Sequence, residues 1–153
     1  MPKQDITLGA EDVVAHLEAA THLQVATNGA DGFPHLTTLW FVVMDGLITF
    51  RLFTKSQRIV NLSRDPRLTV LAERGGSYDE LSGVMIKGQA HLYRDDALVL
   101  EVYRRVMSKM EHIEVEPAAV EQLFGRFAAK NTVVQVEPLA VVSWDHSKLA
   151  GGY

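Results

Sequence analysis

The sequence has 153 residues, of which 47% are hydrophobic, enough for one domain with a sizeable core. Its formal net charge of −4 argues against a protein that binds duplex nucleic acid, which would usually present a basic face. The absence of cysteine excludes disulfides, thiolate metal sites and a cysteine nucleophile. Since no stretch approaches the roughly 20 apolar residues of a membrane span, and no apolar signal region is present, we expect a single cytoplasmic domain over residues 1–153.

The first elements of the chain are predicted from the spacing of apolar residues. Residues 10–20 have the pattern of an amphipathic helix, and we expect Val13, Val14 and Leu17 to face inward. Residues 22–27 have the composition of a strand.

The most informative part of the chain is the stretch from Phe33 to Arg67. It contains two strands rich in β-branched and aromatic residues, joined at Met44-Asp45-Gly46, where Asp-Gly is a strong hairpin signal. The second strand, residues 47–53, runs directly into a short helix. Thr54 begins a sequence with capping-box spacing, and Ser56 is the rival N-cap.

The start of this helix has the chemistry of an anion site. Free amides at a helix N-terminus point outward, and the helix dipole adds positive potential there. Lys55 and Arg58 add full charges, and Ser56 adds a neutral donor. These residues predict a phosphate site, with a capped helix and two solvated cations as the alternative interpretation.

The second half of the chain completes a strand-rich pattern. The predicted elements are strands at 68–72, 83–93, 132–136 and 139–144, and helices at 97–110 and from about 116. Along the longest strand, Gly88 and Ala90 lie on the inner face and leave room for a crowded barrel interior or for something packed against it. Since the strands cluster without βαβ alternation, we expect an α+β fold with an antiparallel barrel.

Motifs for metal, hydrolytic and dinucleotide chemistry are missing from the sequence. The six histidines are His16, His22, His35, His91, His112 and His146, and none is paired with another at helical or strand spacing. There is no Gly-x-Ser-x-Gly for a hydrolase and no Gly-x-Gly-x-x-Gly for a Rossmann site. We therefore predict no metal ligands and no catalytic side chain.

Several short motifs, spread over most of the chain, are more informative together than singly. They are Thr37-Thr38-Leu39-Trp40-Phe41, Lys55-Ser56-x-Arg58, Asn61-Leu62-x-x-Asp65-Pro66-Arg67, Tyr78-x-Glu80-Leu81-x-Gly83-Val84 with Gly88-x-Ala90, and Ser143-Trp144-Asp145. In this order the chain resembles the split-barrel flavin and deazaflavin oxidoreductases related to pyridoxamine 5'-phosphate oxidase.

The resemblance implies a fold, a cofactor and a set of site residues. The fold is an antiparallel split β-barrel with flanking helices, and the cofactor is deazaflavin F420 or, as second choice, FMN. The implied cofactor-binding residues are Thr37, Thr38, Leu39, Trp40, Lys55, Ser56, Arg58, Asn61 and Trp144. The strand at 37–40 would lie along the flavin ring, with either of its faces toward it. For Trp144, a core position in the final strand is an equal alternative.

The chain departs from this family near its C-terminus. Pyridoxamine-phosphate oxidases carry Arg and His beside the tryptophan, whereas here Asp145 follows Trp144. This difference argues against pyridoxamine phosphate as the substrate. The sequence Arg64-Asp65-Pro66-Arg67 and the short chain resemble the F420-dependent branch more closely.

The expected activity is hydride transfer to or from a small organic substrate, in a homodimer with the cofactor at the subunit interface. Trp40, Phe41, Phe50 and Phe53 offer more aromatic surface than a small barrel interior can hold, which favours a dimer. The alternative is a carrier without turnover, for a cofactor, haem or another tetrapyrrole, with His35 or His91 as a haem ligand.

Overall fold

One seven-stranded antiparallel sheet organises residues 4–149, the part of the chain that the computed structural model describes. The strands are β1 His22–Asn28, β2 Pro34–Trp40, β3 Val42–Met44, β4 Leu47–Phe53, β5 Arg67–Arg74, β6 Ser82–Tyr93 and β7 Asn131–Asp145. The helices are α1 Ala10–Ala19, α2 Gln57–Arg64, α3 Asp96–Glu111 and α4 Pro117–Phe124. The strand order across the sheet is β2-β1-β5-β6-β7-β4-β3.

The two edge strands of the sheet, β2 and β3, are consecutive in the chain and are separated by Phe41 alone. The sheet must therefore curl until its edges approach each other at this residue. With the helices packed around it, this is the expected α+β split barrel, and the predicted fold class is confirmed.

The sequence predicted one strand up to Met44, and that prediction is wrong at Phe41. β2 pairs with β1, whereas β3 pairs with β4. The ring of Phe41 is buried in the core, and its carbonyl oxygen accepts a hydrogen bond from Lys109 Nζ at 3.3 Å. The strand breaks because its two parts pair with different neighbours of the curled sheet.

The barrel interior is apolar and tightly packed. Leu23, Val25, Phe50, Val70 and Val84 are almost fully buried there. A Cβ atom on Gly88 would lie 2.6 Å from the carbonyl oxygen of Glu137, beside a register shift in the β6–β7 pair. Of the two roles considered for Gly88, the structure shows the crowded interior.

α1 packs on the barrel through Val13 and Leu17, as predicted, but the prediction for Val14 is wrong. Val14 is 41% exposed, whereas His16 and Leu17 are buried. His16 Nε2 lies 3.2 Å from Ser82 Oγ, so a polar contact fixes this face of the helix. None of the helices within residues 4–149 is both long and apolar enough to span a membrane.

Candidate functional site

A cavity of about 260 Å³, which we call the arginine cavity, lies where β2, the end of β4, α2 and α3 meet. It is lined by Thr38, Leu39, Trp40, Arg51, Leu52, Phe53, Arg58 and Val106. The fold thus brings Thr38, Leu39 and Trp40 to the same cavity as Arg58, as a shared site requires. The lining contains two guanidinium groups and no carboxylate.

Arg58 projects from the first turn of α2 toward strand β2. Its Nη1 donates a hydrogen bond to Thr37 Oγ1 at 3.3 Å, which adds Thr37 to the predicted residues that meet here. Burial lowers the pKa of the Arg58 guanidinium, and within the described part of the chain it has no carboxylate partner. A half-buried cation without a counter-ion is costly in the empty protein and favourable for an anionic ligand.

Ser56 is the N-cap of α2, with an extended backbone, but its side chain makes no capping hydrogen bond. Its Oγ is buried and has no partner among the described residues. The capping box predicted from Thr54 is not formed, because the hydroxyl groups of Thr54 and Thr132 share a hydrogen bond of 2.8 Å. The α2 start therefore keeps an unused hydroxyl beside its unpaired backbone amides.

Lys55 precedes this N-cap and is exposed to solvent. In the part of the chain that the structure describes, no carboxylate lies within ion-pair distance of it. Among the described residues, the start of α2 therefore carries three donors without an acidic partner, Lys55, Ser56 and Arg58, and we call this group the phosphate corner.

Arg51 is the residue of this site that the sequence analysis missed. Its Nη1 donates to Asn131 Oδ1 at 3.2 Å, and its guanidinium carbon lies 3.8 Å from the centre of the Tyr103 ring. Burial lowers its pKa as well. The available signal was a single cation inside the apolar strand at 47–53, where a charge needs a specific partner or a function.

Comparison with known proteins assigns the family. Residues 10–144 match the family model of pyridoxamine 5'-phosphate oxidase. The chain belongs to this family. No curated protein sequence gives a significant match.

Solved structures agree with the family assignment. The conserved hypothetical protein Rv2991 from Mycobacterium tuberculosis is 31% identical, with a TM-score of 0.87 over 100% of this chain and 94% of that one. An F420 reductase has 19% identity and a TM-score of 0.65, over 84% of this chain and 94% of that chain. A FAD-binding protein from Mesorhizobium loti has 15% identity and a TM-score of 0.62, over 90% and 94%. The last two show likeness of fold alone.

Asn61, also predicted to bind the cofactor, does not line the arginine cavity. It is fully buried, its Nδ2 donates to Thr27 Oγ1 at 3.0 Å, and its Oδ1 accepts from Gln57 Nε2 at 2.8 Å. The first bond holds α2 against β1, and the second lies within α2. Asn61 therefore has internal partners, and it borders a second cavity of about 370 Å³ that His35 and Gln57 also line.

Trp144 lies near the end of β7, opposite Gly83 of β6. Its ring covers Gly83 so closely that a Cβ atom there would collide with it. It does not line the arginine cavity. Within a single chain, Trp144 is therefore not among the residues that share this cavity with Arg58.

The two histidines considered as haem ligands have different surroundings. His91 Nε2 donates to Glu137 Oε2 at 2.7 Å on an exposed surface. His35 borders the second cavity, and its Nδ1 is buried without a partner. Over residues 4–149 there is no group of three or more His, Asp or Glu side chains that could hold a metal ion.

Proposed function

We propose that this chain binds a flavin-type cofactor, deazaflavin F420 in preference to FMN, and transfers hydride to or from a small organic substrate. The observation that carries the proposal is the unpartnered Ser56 hydroxyl, buried at the N-cap of α2, whose first turn also carries the uncompensated Arg58. Family membership supports it, as do the names of two similar structures, an F420 reductase and a FAD-binding protein.

The donors at the start of α2 fit the phosphate of such a cofactor. Phosphate oxygens only accept hydrogen bonds, and Ser56, Arg58, Lys55 and the first-turn amides of α2 all donate. A buried hydroxyl without a partner costs roughly 1–3 kcal/mol, which a bound phosphate would recover. In the protein without ligand, these donors are therefore unsatisfied, and a bound anion would satisfy them.

The residues around this corner would bind and orient the cofactor. A flavin-type cofactor, when bound, supplies the ring that carries the hydride. Thr37 orients the Arg58 guanidinium through its hydroxyl group. Leu39, Phe53 and Val106 add apolar side chains to the cavity lining, against which a flavin ring would pack. This assignment needs no side chain as acid or base.

We further propose a homodimer with the cofactor at the subunit interface. Trp40, Phe53 and Leu139 are 51%, 53% and 63% exposed in the single chain, and a second copy would cover apolar side chains of this kind. Trp144 does not line the cavity of its own chain, and in such a dimer it would reach the cofactor from the partner. Light scattering at micromolar concentration tests this, since a mass near 17.0 kDa would contradict a dimer.

Titration of the purified protein with F420 and with FMN, followed by absorbance and fluorescence, tests the cofactor proposal. Failure of both to bind below about 1 mM, which corresponds to roughly −4 kcal/mol, would end it. Haem is the control ligand for the alternative carrier function. A Soret band that disappears in His35→Ala, together with no flavin binding, would favour that carrier.

A further inference from the structure

Arg51 is not explained by the phosphate corner at the start of α2. It projects from β4 and contacts Asn131 of β7 and Tyr103 of α3, whereas Arg58 contacts Thr37 of β2. The two guanidinium groups thus line one cavity from different structural elements. A phosphate at the start of α2 satisfies Arg58 and leaves Arg51 as a second cation.

The position of Arg51 is fixed before any ligand binds. The Tyr103 ring beneath it is stacked on Phe124, with 4.3 Å between ring centres and an angle of 11° between planes. Asn131, which accepts from Arg51, is held in turn by its own donation to the Phe127 carbonyl oxygen at 2.8 Å. A preorganised guanidinium loses little freedom on binding an anion.

Arg51 retains unused capacity for hydrogen bonding. A guanidinium has five N–H donors, and within residues 4–149 the bond to Asn131 is its single hydrogen bond to protein. The nearest charged neighbour in the cavity lining is another cation, Arg58. Two desolvated cations in one cavity without a carboxylate are unfavourable unless anionic groups enter.

The rest of the lining indicates what kind of molecule carries that second anion. It is mainly apolar, formed by Leu39, Trp40, Leu52, Phe53 and Val106. The volume of about 260 Å³ lies below the roughly 300–1,000 Å³ of pockets for drug-sized ligands. A small planar or aromatic body with one anionic group suits this combination, and a planar guanidinium matches a carboxylate through paired hydrogen bonds.

We propose that Arg51 binds the carboxylate of a small aromatic or unsaturated organic acid, and that this acid belongs to the substrate class of the protein. The inference rests on the proposed cofactor function, because it assigns Arg58 to the cofactor and Arg51 to the substrate. It makes Arg51 a specificity-determining residue.

Benzoate and its neutral analogue benzamide are suitable probes, titrated into the full chain without added cofactor. The chain has two tryptophans, so a Trp144→Phe background leaves Trp40 as the single tryptophan reporter in the cavity lining. We expect saturable quenching by benzoate and at least about tenfold weaker binding of benzamide. Added salt should weaken benzoate binding more than benzamide binding.

Three variants in the same background assign the effect to Arg51. Arg51→Gln should reduce benzoate affinity by about tenfold or more, to the level of benzamide. Arg51→Lys keeps the charge without the planar fork and should fall between the two. Arg94→Gln removes a charge from an exposed position outside the cavity and should leave benzoate affinity unchanged. Melting temperatures verify that the variants fold, and Arg51→Lys provides the test if Arg51→Gln does not.

Two results would overturn the assignment. One is equal affinity for benzoate and benzamide, or benzoate affinity that survives the loss of Arg51. The other is a loss of F420 or FMN affinity in Arg51→Gln as large as in Arg58→Ala, both measured with Trp144 intact, which would place Arg51 in the phosphate site. If the chain with both tryptophans binds neither F420 nor FMN while benzoate binding still depends on Arg51, the proposed function is contradicted and the carboxylate site stays in place.

Discussion

The outer face of α3 and the arginine cavity differ in whether their arginines have a carboxylate partner. On α3, Arg104 and Arg105 both donate to Glu101 Oε1 at 2.7 Å, although all three side chains are partly open to solvent. In the cavity, burial lowers the pKa of Arg51 and Arg58, and neither has a carboxylate partner in the described chain. Since burial raises the cost of an unpaired charge, the cavity cations are unfavourable in the empty protein, which agrees with the anionic ligand that we propose.

Lys109 shows a third arrangement between these two. Its Nζ is 3.3 Å from the Phe41 carbonyl oxygen, 3.4 Å from that of Leu17, and 4.1 Å from the centre of the Phe41 ring. It therefore joins α1, α3 and the point where β2 ends. Lys109 thus contacts three neutral groups, whereas Arg51 and Arg58 each make one hydrogen bond to protein within the described residues.

Arg58→Ala should give the largest effect, since it removes a cation assigned to the ligand. We expect F420 or FMN affinity to fall by roughly ten- to a hundredfold, or about 1.5–3 kcal/mol. The free energy of unfolding of the empty protein should hardly change. Spectroscopic titration and apo denaturation, each with Arg105→Ala as the matched surface control, measure the two quantities. Unchanged cofactor affinity would show that the phosphate does not bind at Arg58. The arginines of the cavity would then not differ in function from those of α3.

Lys109 should make stability depend on pH in the alkaline range. Burial lowers its pKa from 10.5 to about 8, so between these values the unfolded chain binds more protons than the folded one. The free energy of unfolding should therefore rise between pH 8 and 10.5, by about 1–2 kcal/mol after allowance for partial exposure. Denaturant titrations across this range should show the rise in the wild type and not in Lys109→Met. The same rise in both proteins would assign it to another group.

Ser56→Ala should change binding and stability in opposite directions. Removing a buried hydroxyl that has no partner should leave the empty protein unchanged or stabilise it by up to about 1 kcal/mol. Cofactor affinity should fall by about fivefold to tenfold, because a phosphate loses one donor. Ser63→Ala is the control in the same helix, since the Ser63 hydroxyl donates to the Ile59 carbonyl oxygen. If Ser56→Ala destabilises the empty protein as a lost cap would, the hydroxyl is structural.

Glu101→Gln should have the smallest effect, confined to stability. The Arg104 and Arg105 hydrogen bonds lower the Glu101 pKa from 4.5 to about 2. Its contribution should be complete above pH 4.5 and disappear as the pH falls toward 2. At neutral pH we expect a loss of about 0.3–1 kcal/mol, typical of exposed ion pairs, with no change in cofactor affinity. A loss of cofactor affinity in Glu101→Gln would show that the two regions are coupled.

The sequence correctly predicted those structural features that depend on residues close together in the chain. Alternation placed Val84 and Ile86 on the inner face of β6, and the composition of residues 54–58 placed a helix start with cations in that segment, where Ser56 was the second candidate for the cap. Both patterns are decided within a few residues. The resemblance to a known family added the split barrel, which local patterns alone could not specify.

The structure differed from the sequence predictions where a residue's conformation depends on a partner that is distant in the chain. Thr54 does not cap α2 because Thr132 of β7 takes its hydroxyl, 78 residues along the chain. Arg51 could not be assigned because Asn131 and Tyr103 define its surroundings. The strand break at Phe41 depends on closure of the whole sheet, and the inward position of His16 depends on Ser82.

The strand order also sets when the arginine cavity can form during synthesis of the chain. β4, which carries Arg51, pairs on one side with residues 131–136 of β7, the last strand. Such distant pairing makes folding slow, because a long loop must close before the contact forms. Thr38, Arg51 and Arg58 therefore leave the ribosome well before Asn131 can meet Arg51. A nascent chain has the start of α2 early, but it completes the cavity only after the C-terminal strand has been made.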